Sequence, residues 1–165
     1  MNLPGQHFTY DNKAMTKKLE EEIKSVNFRS VRHKATLNII VTANWIHTQH
    51  LAIFKKYNLT GQQFNVLRIL RGQYPNPSTV LNIRERMLDK MSDVSRIIER
   101  LRISGYIDRV LCPNDRRAVD ISITKKGLDL LKKLDKEEEA MELILGNLSS
   151  VEATQLNELL DKIRD

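Results

Sequence analysis

The sequence has little cysteine and no long apolar segment, and these absences exclude several classes of protein. Cys112 is the one cysteine, so no intramolecular disulfide can form, which is typical of a protein of the reducing cytoplasm. No uninterrupted apolar stretch approaches about 18 residues, so no membrane-spanning helix is predicted. The first residues lack a basic segment followed by an apolar run, which argues against a secretory signal. We therefore expect a cytoplasmic protein with no membrane partner.

The sequence motifs of common enzymes are also missing. There is no glycine-rich phosphate loop and no nucleophile elbow, and no His/Glu pair has the spacing of metal ligands. His47 and His50 stand three residues apart, but no third ligand follows at a matching distance, so a metal site is not indicated. The sequence thus predicts neither an enzyme nor a bound cofactor.

Charge is distributed unevenly along the 165 residues, whose formal net charge is +6. Residues 1–126 carry 22 basic and 11 acidic side chains, whereas residues 127–165 carry 5 and 10. A basic body suits a polyanionic partner such as nucleic acid. Charge that serves only solubility would give the same counts, so the choice depends on the motifs.

Glycine and proline are absent from residues 15–57, which are predicted to be helical with one break near Asn27. Apolar residues fall on two faces of this stretch, so we expect it to be covered on two sides, one of them by another subunit. Thr60 and Gln63 form a capping box that begins the next helix, which ends near Gly72. Ser78 is expected to cap a short helix that ends at about Met87.

Residues 92–127 combine an amphipathic helix with a hairpin. The polar residues at 92–95 can cap the helix, and Gly105 ends it. The apolar positions at i, i+3, i+4 and i+7 form one buried stripe: Val94, Ile97, Ile98 and Leu101. The opposite face presents Ser92, Ser95, Arg96 and Glu99, with Arg100 at its flank.

The hairpin places two arginines at its tip. Cys112-Pro113-Asn114-Asp115 is a turn signal, and Arg116 and Arg117 follow it. The return strand alternates, with Val119, Ile121 and Ile123 on one face. A helix that fits the major groove beside a basic projection that can enter the minor groove is the arrangement with which a winged helix binds DNA.

The C-terminal region is predicted to form two more helices. Thr124 can cap the first, which the acidic run at 137–139 interrupts and Gly146 ends. Ser149 and Glu152 form a capping box for the last helix. The apolar stripe of that helix has no obvious partner within the chain: Leu156, Leu159, Leu160 and Ile163.

The run from Asp115 to Gly127 resembles the wing signature of the MarR (multiple antibiotic resistance regulator) family, which reads Asp-x-Arg, an alternating strand and Leu-Thr-x-x-Gly. Ser95-Arg96 with Leu101 and Gly105-Tyr106-Ile107 resemble the family's recognition helix and the entry to its wing. In element order the resemblance covers about residues 17–163. Two positions depart from the family: Leu88 stands where many members carry Gly, and Arg84 where a small Ala is usual.

The resemblance implies a mainly α fold with a small β-hairpin wing. Residues 1–165 would form a single MarR-like unit, with a winged helix-turn-helix at 59–127 flanked by dimerisation helices at 15–57 and 128–165. It further implies a homodimeric transcriptional regulator, most simply a repressor that binds a pseudo-palindromic operator in double-stranded DNA and is released by a small-molecule effector. The residues expected to contact DNA are Ser92, Ser95, Arg96, Arg100, Asp115, Arg116 and Arg117.

Alternatives stay open for individual residues and for the chain as a whole. Asp115 would orient Arg117, or serve only as a turn residue. Trp45 could line an effector pocket or belong to a core or a dimer interface, and Cys112 could be a redox switch or an inert thiol. The competing functions are a winged helix that docks a protein and an effector sensor with weak DNA affinity. Adjacent arginines at the wing tip favour DNA over protein docking, whereas Leu88 and Arg84 favour the sensor.

Overall fold

The computed structural model describes residues 18–112 and 115–165, without the side chains of residues 110–112, 115–119 and 138. Within these residues the chain forms eight α-helices and three β-strands. The helices are α1 (Leu19–Glu22), α2 (Val31–Lys55), α3 (Gly61–Arg71), α4 (Val80–Arg86), α5 (Val94–Ile103), α6 (Lys125–Leu134), α7 (Glu138–Glu142) and α8 (Ser150–Arg164). The strands are β1 (Ser78–Thr79), β2 (Ile107–Cys112) and β3 (Asp115–Ile123). The predicted fold class, mainly α with a small wing, is confirmed.

The chain divides into two compact units between Ile46 and His47, inside helix α2. The expected break near Asn27 is present, since α1 ends at Glu22 and α2 begins at Val31. In the first unit Lys34 pairs with Glu20, and the Lys34 Nζ atom lies 5.4 Å from the centre of the Phe28 ring. The predicted boundaries of the winged-helix region and of its dimerisation helices stay predictions.

Helix α3 begins and ends where the sequence predicts. The Thr60 side chain accepts the Gln63 N–H at 3.2 Å, and the Gln63 side chain accepts the Thr60 N–H at 2.9 Å. Each bond satisfies one backbone donor that the first helical turn would leave free. Gly72 is the C-terminal cap.

The expectation that Ser78 caps the fourth helix is wrong. Thr79 is the N-cap of α4, and its side chain accepts the Asn82 N–H at 3.1 Å. Ser78 is buried in strand β1, where it pairs with Ile121, and its Oγ atom accepts the Asn82 Nδ2–H at 2.7 Å. The sheet contact holds this hydroxyl one residue before the N-cap position.

The three strands form one antiparallel sheet in the order β1-β3-β2. Strands β2 and β3 form the wing hairpin, in which Ile107 pairs with Ile123 and Arg109 with Ile121. All three of these isoleucines are buried, so the base of the wing belongs to the core. The predicted alternation therefore holds at Ile121 and Ile123, and Val119 lies outside the described side chains.

One apolar cluster forms the core of the second unit, and it joins the end of α2 to α3, α4, α5, the sheet and α6. Its fully buried side chains are Ile53, Val66, Leu67, Leu70, Ile83, Met87, Ile98, Leu101, Ile107, Ile121, Leu131 and Leu134. The predicted stripe of α5 faces this cluster, with Val94, Ile98 and Leu101 buried and Ile97 partly buried. The opposite face of α5 is thereby turned to solvent.

The helical C-terminal region is interrupted at the acidic run as expected, and carboxylates beside this interruption bond to other segments of the chain. Residues 135–137 form a 3-10 turn after α6. Both Asp135 carboxylate oxygens accept from Arg71 Nη1 at 2.8 Å, and Glu137 accepts from the Tyr57 hydroxyl at 3.0 Å. Burial, with the Glu137 bond, raises the pKa of Tyr57.

Helix α8 begins at the predicted capping box of Ser149 and Glu152. None of its residues is buried. Among the described residues, no helix combines the length and apolar character needed to cross a membrane.

Candidate nucleic-acid interface

The predicted recognition helix, α5, is capped by Asp93 rather than by either serine. The Asp93 side chain accepts the Arg96 N–H at 3.1 Å. Ser92 Oγ instead donates to Asp89 Oδ2 at 2.8 Å. The hydrogen bond from Ser92 is the largest cause of the lowered pKa of Asp89, and the hydrogen bond from the Met91 N–H is the next largest. The hydroxyl of Ser92 thus holds the loop before the helix, and the hydroxyl of Ser95 lies on the exposed first turn.

The structure brings three of the predicted site residues together on the exposed face of α5. Ser95, Arg96 and Arg100 are all exposed; Ser95 and Arg96 are adjacent, and Arg100 lies about one helical turn after Arg96. Arg96 and Arg100 line an open depression with Thr60 and Gln63 at the start of α3. A guanidinium group in this position can donate to a base edge or to a phosphate, since its fork matches both.

Glu99 is the acidic residue on this side of α5, and two arginines neutralise it. Its carboxylate lies 2.7 Å from Arg102 Nη2 and 3.4 Å from Arg109 Nη2. The hydrogen bond from Arg102 is the largest cause of the lowered pKa of Glu99. Arg109 lies in strand β2, so Glu99 also connects the helix to the wing. The sequence places Glu99 on this face but gives no sign of its partners.

The loop between α4 and α5 is held by Asn65, a residue that the sequence does not single out. Asn65 Oδ1 accepts the Leu88 N–H at 2.9 Å. The Leu88 side chain is 87% exposed and that of Arg84 is exposed. Both departures from the family pattern therefore point to solvent and leave the packing of the core unchanged. A single Asn inside a helix carries no sequence signal for such a contact.

At the C-terminal end of α5, Lys126 makes a contact that the sequence does not predict. Its Nζ atom donates to the Ser104 carbonyl at 2.8 Å and lies 5.0 Å from the centre of the Tyr106 ring. A cation is favourable where the last carbonyls of a helix lack partners. Gly105 follows with φ +72°, a left-handed conformation that suits glycine. Lys126 and Gly105 together fix the exit from the recognition helix into the wing.

The wing residues are placed by their backbone only. Asp115, Arg116 and Arg117 begin strand β3, and Asp115 pairs with Cys112 at the distal end of the hairpin. Their side chains lie outside the described residues, so their predicted roles stay predictions. The same holds for the redox alternative at Cys112.

The histidine pair has no metal-binding geometry within the described part of the chain. No group of three or more potential ligands (His, Cys, Asp or Glu) occurs among those residues. His50 packs at 5.8 Å from Phe54, ring centre to ring centre, and burial lowers its pKa. His50 therefore has a packing role beside the core.

Known proteins similar to this chain are bacterial transcription regulators, although no protein-family model matches it. The HTH-type transcriptional regulator PecS of Dickeya dadantii is 31% identical over 116 residues, which are 67% of this chain and 68% of PecS. A MarR transcription factor of Planctomyces limnophilus is 32% identical in its crystal structure, with a TM-score of 0.64, covering 82% of this chain and 98% of that one. Bordetella bronchiseptica BpsR, whose DNA binding is regulated by 6-hydroxynicotinic acid, is 26% identical with a TM-score of 0.63, covering 78% and 99%.

Proposed function

This chain belongs to the MarR family of HTH-type transcriptional regulators, and from this premise we propose that it is a homodimeric repressor of a pseudo-palindromic operator. As a member of that family it is a DNA-binding transcription regulator and not an enzyme. The proposal concerns what lies beyond the family: the sign of regulation, the dimer, the operator and the residues that contact it.

The observation that carries the proposal is the exposed polar face of α5. Val94, Ile98 and Leu101 on its other face are buried in the core, so the orientation of the helix on the core is fixed. Ten residues span about 15 Å, a length that enters one major groove. Two such helices related by a two-fold axis would contact two half-sites about one helical turn apart.

Each predicted contact residue has a separate proposed role. Ser95 and Arg96 contact base edges, because they lie on the exposed first turn of α5. Arg100, one turn later, contacts a base edge or a phosphate. Arg116 contacts phosphate, and Arg117 enters the minor groove with Asp115 orienting it. Ser92, whose hydroxyl bonds to Asp89, positions the start of the helix.

Release by a small-molecule effector is part of the proposal. The DNA binding of BpsR responds to 6-hydroxynicotinic acid, and an effector of this chain would act by changing the spacing of its two recognition helices.

The test separates base contacts from phosphate contacts. The affinity of each variant is measured at several salt concentrations, both for duplexes that the wild type binds specifically and for random duplexes of equal length. Arg96→Ala should lower the ratio of specific to random affinity about tenfold, because a bidentate base contact contributes about 1–3 kcal/mol of discrimination. Arg116→Ala should weaken binding to both kinds of duplex by the same factor, because a phosphate contact carries no sequence information. It should also make the salt dependence of the affinity shallower.

Lys162→Ala, which removes one exposed charge from α8, is the matched control and should leave the ratio unchanged. If the wild type binds no duplex more tightly than random DNA, the repressor proposal is wrong, and a protein-docking or effector-sensing module becomes the better account. If Arg96→Ala weakens binding to specific and random duplexes by the same factor, Arg96 contacts phosphate and not a base edge.

A further inference from the structure

One side chain beside the recognition helix is apolar and almost completely exposed. Met91 is 92% exposed, two residues before the Asp93 cap of α5. Its neighbours Lys90 and Ser92 are polar, and the core cluster does not include it. Its side chain therefore contributes nothing to burial within the chain.

The backbone around Met91 is held in place on both sides. The Met91 N–H donates to Asp89 Oδ1 at 3.0 Å, and the Ser92 N–H donates to the Asp89 carbonyl at 3.3 Å. The bond between Leu88 and Asn65 ties the start of the same loop to α3. These hydrogen bonds fix the backbone of the loop, so the point from which the Met91 side chain projects is fixed as well.

Met91 is continuous with the proposed DNA-contacting face. It lines the same open depression as Arg96 and Arg100, beside the N-terminal end of α5. In helix-turn-helix proteins this end of the recognition helix lies against base edges. If α5 lies in the major groove, a side chain in this position would enter the groove together with Arg96.

The chemistry of the groove identifies what Met91 would contact. Base edges in the major groove offer polar donors and acceptors, and the C5-methyl group of thymine is their apolar feature. A thioether side chain is flexible and polarisable, so it adapts to a methyl surface. The carboxylates that flank Met91 accept hydrogen bonds from within the chain, Asp89 from the Met91 N–H and the Ser92 hydroxyl, and Asp93 from the Arg96 N–H.

We infer that Met91 is a specificity-determining residue that contacts a thymine methyl group next to the bases contacted by Arg96. This inference rests on the proposed function, because it needs α5 to lie in the major groove of an operator. It adds a preference that the arginines cannot supply, since an arginine fork selects guanine or phosphate.

The experiment combines a methyl deletion in DNA with a side-chain deletion in protein. A duplex selected by the wild-type chain from a random pool is rebuilt with each thymine replaced singly by deoxyuridine, which lacks only the methyl group. For wild type, deoxyuridine at the contacted position should weaken binding about threefold to fivefold, the effect of burying about one methyl group. For Met91→Ala the same replacement should change affinity less than about 1.5-fold, whereas Met91→Leu should keep most of the dependence.

Ile103→Ala is the matched control. Ile103 is 73% exposed at the opposite end of α5, so its removal should leave the deoxyuridine dependence as in wild type. Thermal unfolding of each variant should match the wild type, because neither side chain is buried.

Three results would overturn the inference in distinguishable ways. In the first, the wild type binds a specific sequence, yet Met91→Ala shows the same loss of affinity as wild type at every thymine replaced by deoxyuridine. That result would disprove the contact and leave the proposed function intact. Unchanged affinity of Met91→Ala for every duplex would show that the Met91 side chain contributes nothing to DNA binding, and the inference would be wrong. Absence of any preferred duplex would disprove the proposed function itself, and the inference with it.

Discussion

Gly127 shows how a single residue of the wing signature is dictated by packing. A Cβ atom built on Gly127 would lie 2.4 Å from the Tyr106 carbonyl oxygen and 2.8 Å from Ile123 Cγ1. Real Cβ atoms essentially never come within 3.0 Å of such atoms, and the carbonyl belongs to backbone that cannot rotate away. Glycine at this position lets α6 begin directly against the base of the wing.

We therefore predict that Gly127→Ala lowers the free energy of unfolding by about 1–3 kcal/mol, the usual cost of overpacking a core. Gly61→Ala is the matched control. A Cβ atom there would lie 3.6 Å from the Phe54 ring, an ordinary contact, and alanine favours the helix that begins at Gly61. Denaturant unfolding of the two variants measures both effects. Equal stability of Gly127→Ala and wild type would contradict the geometry.

Capping residues show where prediction from sequence stops at the scale of single residues. The sequence favours Ser78 as the cap of α4, which is wrong, and offers several candidates among residues 92–95 for the cap of α5. Ser78 is used by the sheet and Ser92 by Asp89, so Thr79 and Asp93 cap instead. Serine, threonine and aspartate all accept backbone N–H bonds, and only the tertiary contacts choose between neighbours.

At the scale of elements, local signals predict helices well and short strands poorly. Helices α3 and α8 begin at reciprocal capping boxes, and α5 shows four apolar residues at helical spacing, so each could be predicted from neighbouring residues alone. Strand β1 has two residues and no alternation to detect. It exists because Ser78 and Thr79 lie beside β3, a long-range contact that the local sequence does not encode.

The end of α2 contains a group whose ionisation should affect stability. His50 packs on Phe54, and burial, more than the nearby His47, lowers its pKa below the usual 6.5. Below that pH the unfolded chain binds more protons than the folded chain does. The contribution of His50 is therefore fully present above pH 6.5 and is lost as pH falls through the folded-state pKa.

We predict that the free energy of unfolding falls between pH 7 and pH 5, and that His50→Gln makes this dependence shallower. His47→Gln, which removes the smaller cause, should keep most of the wild-type dependence. Urea unfolding at half-unit pH intervals compares the slopes rather than the absolute stabilities, so any loss of packing against Phe54 does not obscure the result. Identical slopes for His50→Gln and wild type would show that other groups cause the dependence.

At the scale of the whole molecule, the sequence predicts which region contacts DNA but does not predict the quaternary structure. The basic excess of residues 1–126 and the wing signature both indicate the polyanion-binding part of the chain. The apolar stripe on α8 indicates that this helix needs a partner surface, but it does not indicate which surface. In the single chain Leu159 is 61% and Ile163 66% exposed, a cost that a second subunit would remove.

The last prediction is that the chain is a dimer and that α8 holds it together. Leu159→Asp combined with Leu160→Asp would bury unpaired charge at the proposed interface, which typically costs several kcal/mol, enough to dissociate a micromolar dimer. Thr154→Asp adds one negative charge on the opposite, exposed face of α8 and should leave the dimer unchanged. Sedimentation equilibrium should give wild type twice the chain mass of 19.2 kDa at micromolar concentration, and the double variant a single chain or an unfolded one. A wild-type monomer, or a double variant that remains a folded dimer, would place the interface elsewhere or remove it altogether.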